Sequence, residues 1–329
     1  GTQLVQATGI RHTLERNRTN WPNATGICYY KFTDVYPACS WATVDYYGVP
    51  KLAYDVLADS YAPLGAYAIF DSTTADGLCA PVYLVDEAGA LDNKAWTVRM
   101  IAYDEQLNVI KCCETNGNGH VDTVQPLGFF TMTTEQTAHT PLLITSEVVC
   151  EGKTAFRTFY WLNYRNKTGC LFTLPKAALS YTCADGCVTV RNEGSLPAIG
   201  VTLTCPSKDT VFYAGDSLFC LHPGEARTVT VSHTDGLIVK AWNADEAATA
   251  SAGSPSTYTL PKGEAFGTEK ITFVPTPACI GQWDMTETFG YESYDAAHRH
   301  ALIAMHGVER KESSRGGNLL RFNGGSIGL

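Results

Sequence analysis

Between residues 63 and 243 the chain is a succession of short segments in which apolar and polar residues alternate, and that alternation most limits the folds open to it. The first group reads GAYAIF, APVYLVDE, WTVRMIAYD, LNVIKCC, LLITSEVVC and TAFRTFYWLNY, with turn clusters such as ETNGNGH and NYRNKTG between them. A period of two sends successive side chains to opposite faces of a strand, so each segment offers one face to a core. Several short strands at this spacing predict a β-sandwich. The style returns over 178–243 in LSYTC, CVTVRN, IGVTLTC, TVFYAG, RTVTVSH and GLIVKAW, which predicts a second sandwich. NADEAATASAGSPST then reads as a small-residue linker. The stretch 257–329 ends in SSRGGNLLRFNGGSIGL, which is glycine-rich and has no assigned place.

The first 62 residues follow another rule. Residues 1–19 read as a helix, with Leu4, Val5, Ala7, Ile10 and Leu14 at three- and four-residue steps and Arg11, Arg16 and Arg18 expected to face out. NWPNATG breaks it, ICYYKF reads as a short strand, TDVYPACSWATVDYYGVPK as a loop, and 51–61 as a second helix carrying Leu52, Val56 and Leu57 on one face. Helix, strand, loop and helix compose one β/α unit with its preceding helix, the form expected of the last unit of a (β/α)8 barrel. The opening GTQLVQATGI reads as the inside of a helix rather than a natural beginning, so the chain is expected to be a fragment.

Composition removes some functions. The chain has 329 residues, 45% of them hydrophobic, enough for real cores, and its net charge of −9 leaves no basic stripe to neutralise phosphates. A nucleic-acid partner is therefore not expected. No run of about 18 apolar residues predicts a membrane span. No signal peptide is recognised, and cytoplasmic and secreted locations both stay open. The twelve cysteines are irregularly spaced. Cys183 and Cys187 flank a turn and are expected to face each other across a hairpin, and neither they nor His298, His300 and His306 have metal-ligand spacing. No cofactor is expected.

The segment 26–48, GICYYKFTDVYPACSWATVDYYG, puts five tyrosines, a tryptophan, a lysine and two aspartates into 23 residues. Such crowding suits either a buried sheet end with polar handles or a sugar platform, in which ring faces stack on C–H groups and carboxylates take hydroxyls. Trp41 is read as the rim of a sugar site, with Tyr30, Lys31, Asp34 and Tyr36 as its other substrate-binding candidates. Tyr46 and Tyr47 are read as packing groups under the loop.

Taken together, these stretches resemble glycoside hydrolase family 2, and its β-mannosidase branch in particular. The family's last barrel strand and loop run Gly-x-x-Tyr-Trp-Gln-x-Asn-Asp-x-Trp-Pro-x-x-Ser-Trp-x-x-x-Asp-Tyr-x-Gly. The matching frame here is Gly26, Tyr29, Tyr30, Lys31, Thr33, Asp34, Tyr36, Pro37, Ser40, Trp41, Asp45, Tyr46 and Gly48. QLVQATGIRHTLERNR resembles the helix before that strand, FTLPKAAL the entry to the C-terminal sandwich, and SLFCLHPGEARTVTV its closing strand pair. Tyr30-Lys31 stands where the family has Trp-Gln, Thr33 where it has Asn and Tyr36 where it has Trp. The resemblance covers about 1–245.

The resemblance implies a mainly β chain: a terminal β/α unit of a TIM barrel at 1–62, immunoglobulin-like β-sandwiches at 63–176 and 177–245, and a linker with an unassigned C-terminal segment at 246–329. It implies a β-linked oligosaccharide or glycoside as ligand and a retaining mechanism with two glutamates, whose carboxyls lie roughly 5–5.5 Å apart. Both would sit upstream of residue 1, so the missing N-terminal part is an expected partner and the chain alone is expected to be inactive. One segment points the other way. MTETFGYESYDAAHRH, 285–300, resembles the family's nucleophile segment and makes Glu287 a nucleophile candidate, with Gly290 and Ser293 behind it. Asn192-Glu193 has the dipeptide of the acid/base partner but falls in a sandwich turn. The rival to a glycosidase fragment is a non-catalytic carbohydrate-binding or scaffold protein of the same architecture.

Overall fold

The computed structural model describes residues 2–70, 77–139, 141–163, 169–205, 211–249 and 259–271, together with the backbone of five short strands between 292 and 328. The chain divides into two compact units, Gly1–Phe273 and Val274–Leu329. In the second unit Glu292–Tyr294, Ala301–Ala304 and Ile327–Gly328 form one small sheet, and Val308–Glu312 pairs antiparallel with Asn318–Phe322. Glu287 and the three clustered histidines lie outside the described residues.

The first unit is mainly β. Strands β1 (Leu64–Ala68), β2 (Leu78–Asp86), β3 (Ala95–Tyr103), β4 (Val109–Asn118), β5 (Val124–Met132), β6 (Leu142–Cys150) and β7 (Lys153–Leu162) form two antiparallel sheets, ordered β1-β2-β5 and β4-β3-β6-β7. Their facing sides enclose one core: Ala66, Leu78, Val82, Leu84 and Phe130 from one sheet, Val98, Met100, Ile144, Val148 and Phe156 from the other. The outer face of β4-β3-β6-β7 is also covered. Ile101, Tyr103, Leu143 and Phe159 pack there against Ala7, Val56, Ile199 and Cys220. A sheet buried on both sides loses its in–out alternation, and the first seven residues of β6 are indeed all buried.

Strands β8 (Leu179–Ala184), β9 (Cys187–Asn192), β10 (Ala198–Thr204), β11 (Phe219–Leu221), β12 (Ala226–Thr230), β13 (Ile238–Lys240) and β14 (Ala248–Thr249) build the second sandwich. Its sheets run β12-β9-β8-β14 and β11-β10-β13 around Val188, Val190, Val201, Leu203, Phe219, Val229 and Val239. Gly200 explains a register shift in β10: its φ is +60°, and an added Cβ would lie 2.7 Å from the Trp242 indole nitrogen.

Several expectations change. ETNGNGH is not all turn, because β4 pairs with β3 as far as Asn118. Gly117 is needed there, since a Cβ would fall 2.1 Å from the Trp96 ring that covers it. TVFYAG forms no extended strand among its described residues beyond a single bridge from Ala214 to Val231. Cys183 and Cys187 do not face each other: Cys183 pairs with Val188 and Cys187 with Ala184, so alternation puts the thiols on opposite faces and both are free. The stretch 260–271 returns to the first sandwich. Glu264 bridges to Cys113 of β4, Gly267 to Phe129 of β5, and Phe266 enters the core. It thus covers one edge strand of each sheet, which would otherwise present unpaired backbone groups.

The N-terminal helices are where the sequence places them, α1 over Thr2–Arg18 and α2 over Leu52–Ser60. Their faces differ. The buried stripe of α1 is Ala7, Arg11, Leu14 and Glu15, while Val5 is exposed. Arg11 was expected outside but turns inward because its partners wait there: Glu15 and Asp59, each at 3.3 Å, and the Thr158 hydroxyl. Burial pushes Glu15 up to about 7 against the pull of Arg11. ICYYKF forms no strand. Only an isolated bridge between Thr33 and Val44 lies beside it, and a strand needs a neighbour to take its backbone groups. Among the described residues, no helix is long and apolar enough to cross a membrane.

Candidate functional site

The loop between the helices is built from its ends inward. Lys51 caps the return, donating its backbone N–H to Thr43 O at 2.8 Å, while Thr43 and Val44 donate to Phe32 O at 3.0 and 2.9 Å. Asp45 closes the tip by accepting N–H bonds from Tyr47 and Val49, each at 2.9 Å, an Asx-type turn. Helix α1 ties down the near side. The Gln6 amide donates to Trp41 O at 2.6 Å, the Tyr29 hydroxyl donates to the same oxygen, and Gln3 accepts from Leu52 N at 3.3 Å.

The backbone is therefore fixed while the rings stay out. Trp41 is 59% exposed, and Tyr30, Phe32, Tyr36, Tyr46 and Tyr47 are exposed as well. Tyr46 and Tyr47 do not pack beneath the loop. They meet edge to face on its surface, centroids 5.2 Å apart. Exposed rings in such number on one short loop are unusual, because each leaves apolar area in water.

Beneath them sits Asp34, whose side chain is 1% exposed. Its Oδ1 accepts from Ser40 Oγ at 2.5 Å and from Lys31 Nζ at 3.1 Å, and its Oδ2 faces Lys51 Nζ at 3.5 Å. The Ser40 hydroxyl first, then the Lys31 and Lys51 ammoniums, hold the Asp34 carboxyl below its ordinary range. Lys31 Nζ also lies 5.9 Å from the centre of the Tyr36 ring, within cation–π range. In sequence Asp34 reads either as orienting a neighbouring group or as holding a sugar hydroxyl; its oxygens meet Ser40, Lys31 and Lys51 of the chain itself, the arrangement of an orienting group.

Of the five substrate-binding candidates, Lys31, Asp34 and Tyr36 are joined by direct contacts. Trp41 is held through its backbone beside them in sequence, and the Tyr30 ring is solvent-exposed. Lys51 and the hydrogen-bonding role of Ser40 were missed. Ser40 stood in the quoted frame. Lys51 follows the loop and reaches Asp34 only because the Asp45 turn brings it back. The site is an open surface. Cavities lie away from Asp34 and Trp41, among them one of about 320 Å³ beside Arg11, Glu15, Phe70, Trp161 and Trp242, and one of about 410 Å³ beside Arg18, Trp21, Tyr61 and Glu87 that reaches Gly26 and Ile27 at the start of the segment. Among the described residues no cluster of three or more His, Cys, Asp or Glu could hold a metal.

No family model matches the sequence, and no curated protein matches it either. Solved structures do. An exo-chitosanase, CsxA, of Amycolatopsis orientalis superposes with a TM-score of 0.59 at 20% identity, over 74% of this chain and 33% of the chitosanase. A β-D-mannosidase from Dictyoglomus thermophilum gives a TM-score of 0.56 at 15% identity, over 74% of this chain and 29% of that one. The fold is shared with these two enzymes. The chain spans about a third of their length, and at such identities the likeness is one of fold.

Proposed function

We propose that this chain is the C-terminal portion of a family 2 glycoside hydrolase of the β-mannosidase kind, and that its loop 26–48 forms part of the floor on which a terminal β-linked sugar sits. The carrying observation is the coincidence of a shared fold with a ring-bearing loop: the fold matches a chitosanase and a β-mannosidase over 74% of the chain, and the rings of Trp41, Tyr36 and Tyr30 are exposed on a loop that α1 ties down at Trp41 O. In this reading residues 1–62 are the last β/α unit of a barrel. That accounts for the lack of ladder partners along ICYYKF among the described residues, since both would come from the preceding and first barrel strands. Residues 63–176 and 177–245 are immunoglobulin-like sandwiches bracing that barrel, and 246–329 begins as the linker from which 260–271 returns to the first sandwich.

The chemistry is a double displacement at the anomeric carbon. One glutamate protonates the leaving oxygen, and the other attacks to form a glycosyl-enzyme that water then hydrolyses. In this reading both acids belong to the missing N-terminal part, and this chain contributes stacking faces and orientation. Stacking on an indole or phenol orients the ring without selecting its hydroxyls, so the sugar is chosen by polar groups around it. A second reading, a carbohydrate-binding module without catalysis, is favoured by one observation: the carboxylate at the centre of the loop is fully engaged by lysines and serine.

The chain should bind β-1,4-mannobiose or chitobiose with a change in tryptophan fluorescence that Trp41→Ala removes, measured by titration. Absence of any saccharide response would overturn the platform. The gene's full-length product separates the two readings: hydrolysis of aryl β-mannoside that falls with Trp41→Ala supports the enzyme, and binding without turnover supports the module. A nucleophile at Glu287 requires turnover by this chain itself, abolished by Glu287→Gln.

A further inference from the structure

The cluster around Asp34 sets two ammoniums against one carboxylate. Lys51, its side chain 14% exposed, faces Asp34 Oδ2 and donates to Ser40 O at 3.0 Å, so one ammonium already balances the one carboxylate. Lys31 is a second cation on the same acid, more open at 23% exposed. An ammonium has three protons. One goes to Asp34 and the Tyr36 ring lies at 5.9 Å, which leaves donors directed to solvent among the exposed rings. The other aspartate of the loop, Asp45, is occupied with the N–H groups of its own turn. Lys31, Lys51 and Asp34 together therefore hold one uncompensated positive charge, carried by the more accessible lysine.

We propose that Lys31 selects a sugar bearing an anionic substituent, a uronic acid carboxylate or a sulfate ester, over neutral and cationic sugars at this site. The inference rests on the reading of the loop as a sugar platform and adds the substrate class. Asp34 positions the ammonium, the neighbouring rings take the pyranose face, and the free N–H donors meet the anion in a charge-assisted hydrogen bond. A glucosamine ammonium would meet a like charge there.

The test is calorimetric or fluorescence titration of the chain with four probes: a β-1,4-linked mannuronate disaccharide, a 6-sulfated mannobiose, neutral mannobiose and chitosan-derived glucosamine disaccharide. An anionic probe should bind about threefold to fivefold tighter than mannobiose at low salt, as for one partly exposed charge pair, and glucosamine disaccharide weakest. The preference should shrink as salt shortens the screening length. Lys31→Gln should abolish it and Lys31→Arg should restore it, a pattern that loss of structure would not give; thermal melting of both variants checks folding. Whether the uronate or the sulfate binds tighter identifies the source of the anion. Equal binding of anionic and neutral sugars overturns this inference and leaves the platform standing. Failure of every sugar to bind overturns the platform and this inference with it.

Discussion

Two carboxylates in this molecule sit among cations, and they serve different ends. Glu147 of β6 lies inside the sheet system, within 2.8 Å of Arg157, 3.0 Å of Arg99 and 3.7 Å of His222. Its arginines are shared in turn, Arg99 with Glu114 and Arg157 with Glu225. Two arginines there face three glutamates, so neither arginine has charge to spare. Asp34 has two lysines, and among the described residues neither forms an ion pair with another acid. Glu147 has rigid guanidinium forks, which make bidentate contacts and hold strands together. Asp34 has flexible point charges under exposed rings. The sign of the excess separates the two: acids outnumber arginines in the network that ties β6 and β7 to the second sandwich, and lysines outnumber the acid at Asp34.

The largest effect should come from breaking the arginine network. Arg157→Met leaves Glu147 and Glu225 without their shared partner in a buried place and should cost about 3–5 kcal/mol in urea unfolding. Lys31→Met should cost less, about 1 kcal/mol, because Ser40 and Lys51 stay on the Asp34 carboxylate. Equal losses would erase the distinction between the two sites.

The pH dependence sharpens it next. Burial works against the charge on Glu147, but the His222 contact and Arg157 outweigh it and bring the carboxyl down to about 2 from 4.5. The unfolded chain binds that proton more readily, so the stability contributed by ionised Glu147 is present above about pH 4.5 and is lost as pH falls toward 2. Glu147→Gln should flatten acid unfolding across that window. Asp55 behaves oppositely. Burial first, then Asp59 and Asp216, push it up to about 7 from 3.8. Its folded form keeps the proton longer, so stability should fall as pH rises from about 4 to 7, and Asp55→Asn should remove that slope.

What the sequence disclosed follows the same division. Segments whose contacts are local and regular were legible: LLITSEVVC coincides with β6, and the two helices with their bounds within a residue or two. β5 was not, because Pro126 and Gly128 interrupt VQPLGFFTM and a register shift at Val82 and Tyr83 absorbs them. ICYYKF read as a strand because composition reports propensity and not the presence of a partner. Arg11 and Arg18 read as surface because a charge was assumed to seek water, whereas Glu15, Asp59 and Glu87 receive them. The return of 260–271 depends on bridges to Cys113 and Phe129, more than a hundred residues away, and no local pattern announces it. At the candidate site the rings and Asp34 were visible, but the pairing of Lys51 with Asp34 needed the turn at Asp45.

Packing gives a third contrast. Gly117 lies under Trp96 with no room for a methyl, whereas Gly26 at the start of the loop has nothing within 4 Å of an added Cβ. Gly117→Ala should cost about 1–3 kcal/mol by overpacking. Gly26→Ala should be close to neutral, within about 0.5 kcal/mol. A loop as tightly packed as the sheet would make the two alike.

The smallest change in stability should belong to the most consequential ring. Trp41 holds its place through its carbonyl oxygen, which Gln6 and Tyr29 grip regardless of the side chain. The residue is 59% exposed, so more than half of its area already meets water. Trp41→Ala should therefore leave the urea midpoint within about 0.5 kcal/mol of the parent, and both the backbone hydrogen bonds and the Asp34 cluster should survive. The same substitution should weaken saccharide binding by about tenfold, the loss expected when one ring face, worth about 1 kcal/mol or more, is removed from a stacked sugar. Compared with Phe130→Ala, a fully buried ring whose loss should cost about 3–5 kcal/mol, the indole is a side chain the fold can do without. If Trp41→Ala unfolds the chain as Phe130→Ala does, the rings of the loop are part of a core after all. If it alters neither stability nor binding, they have no ligand.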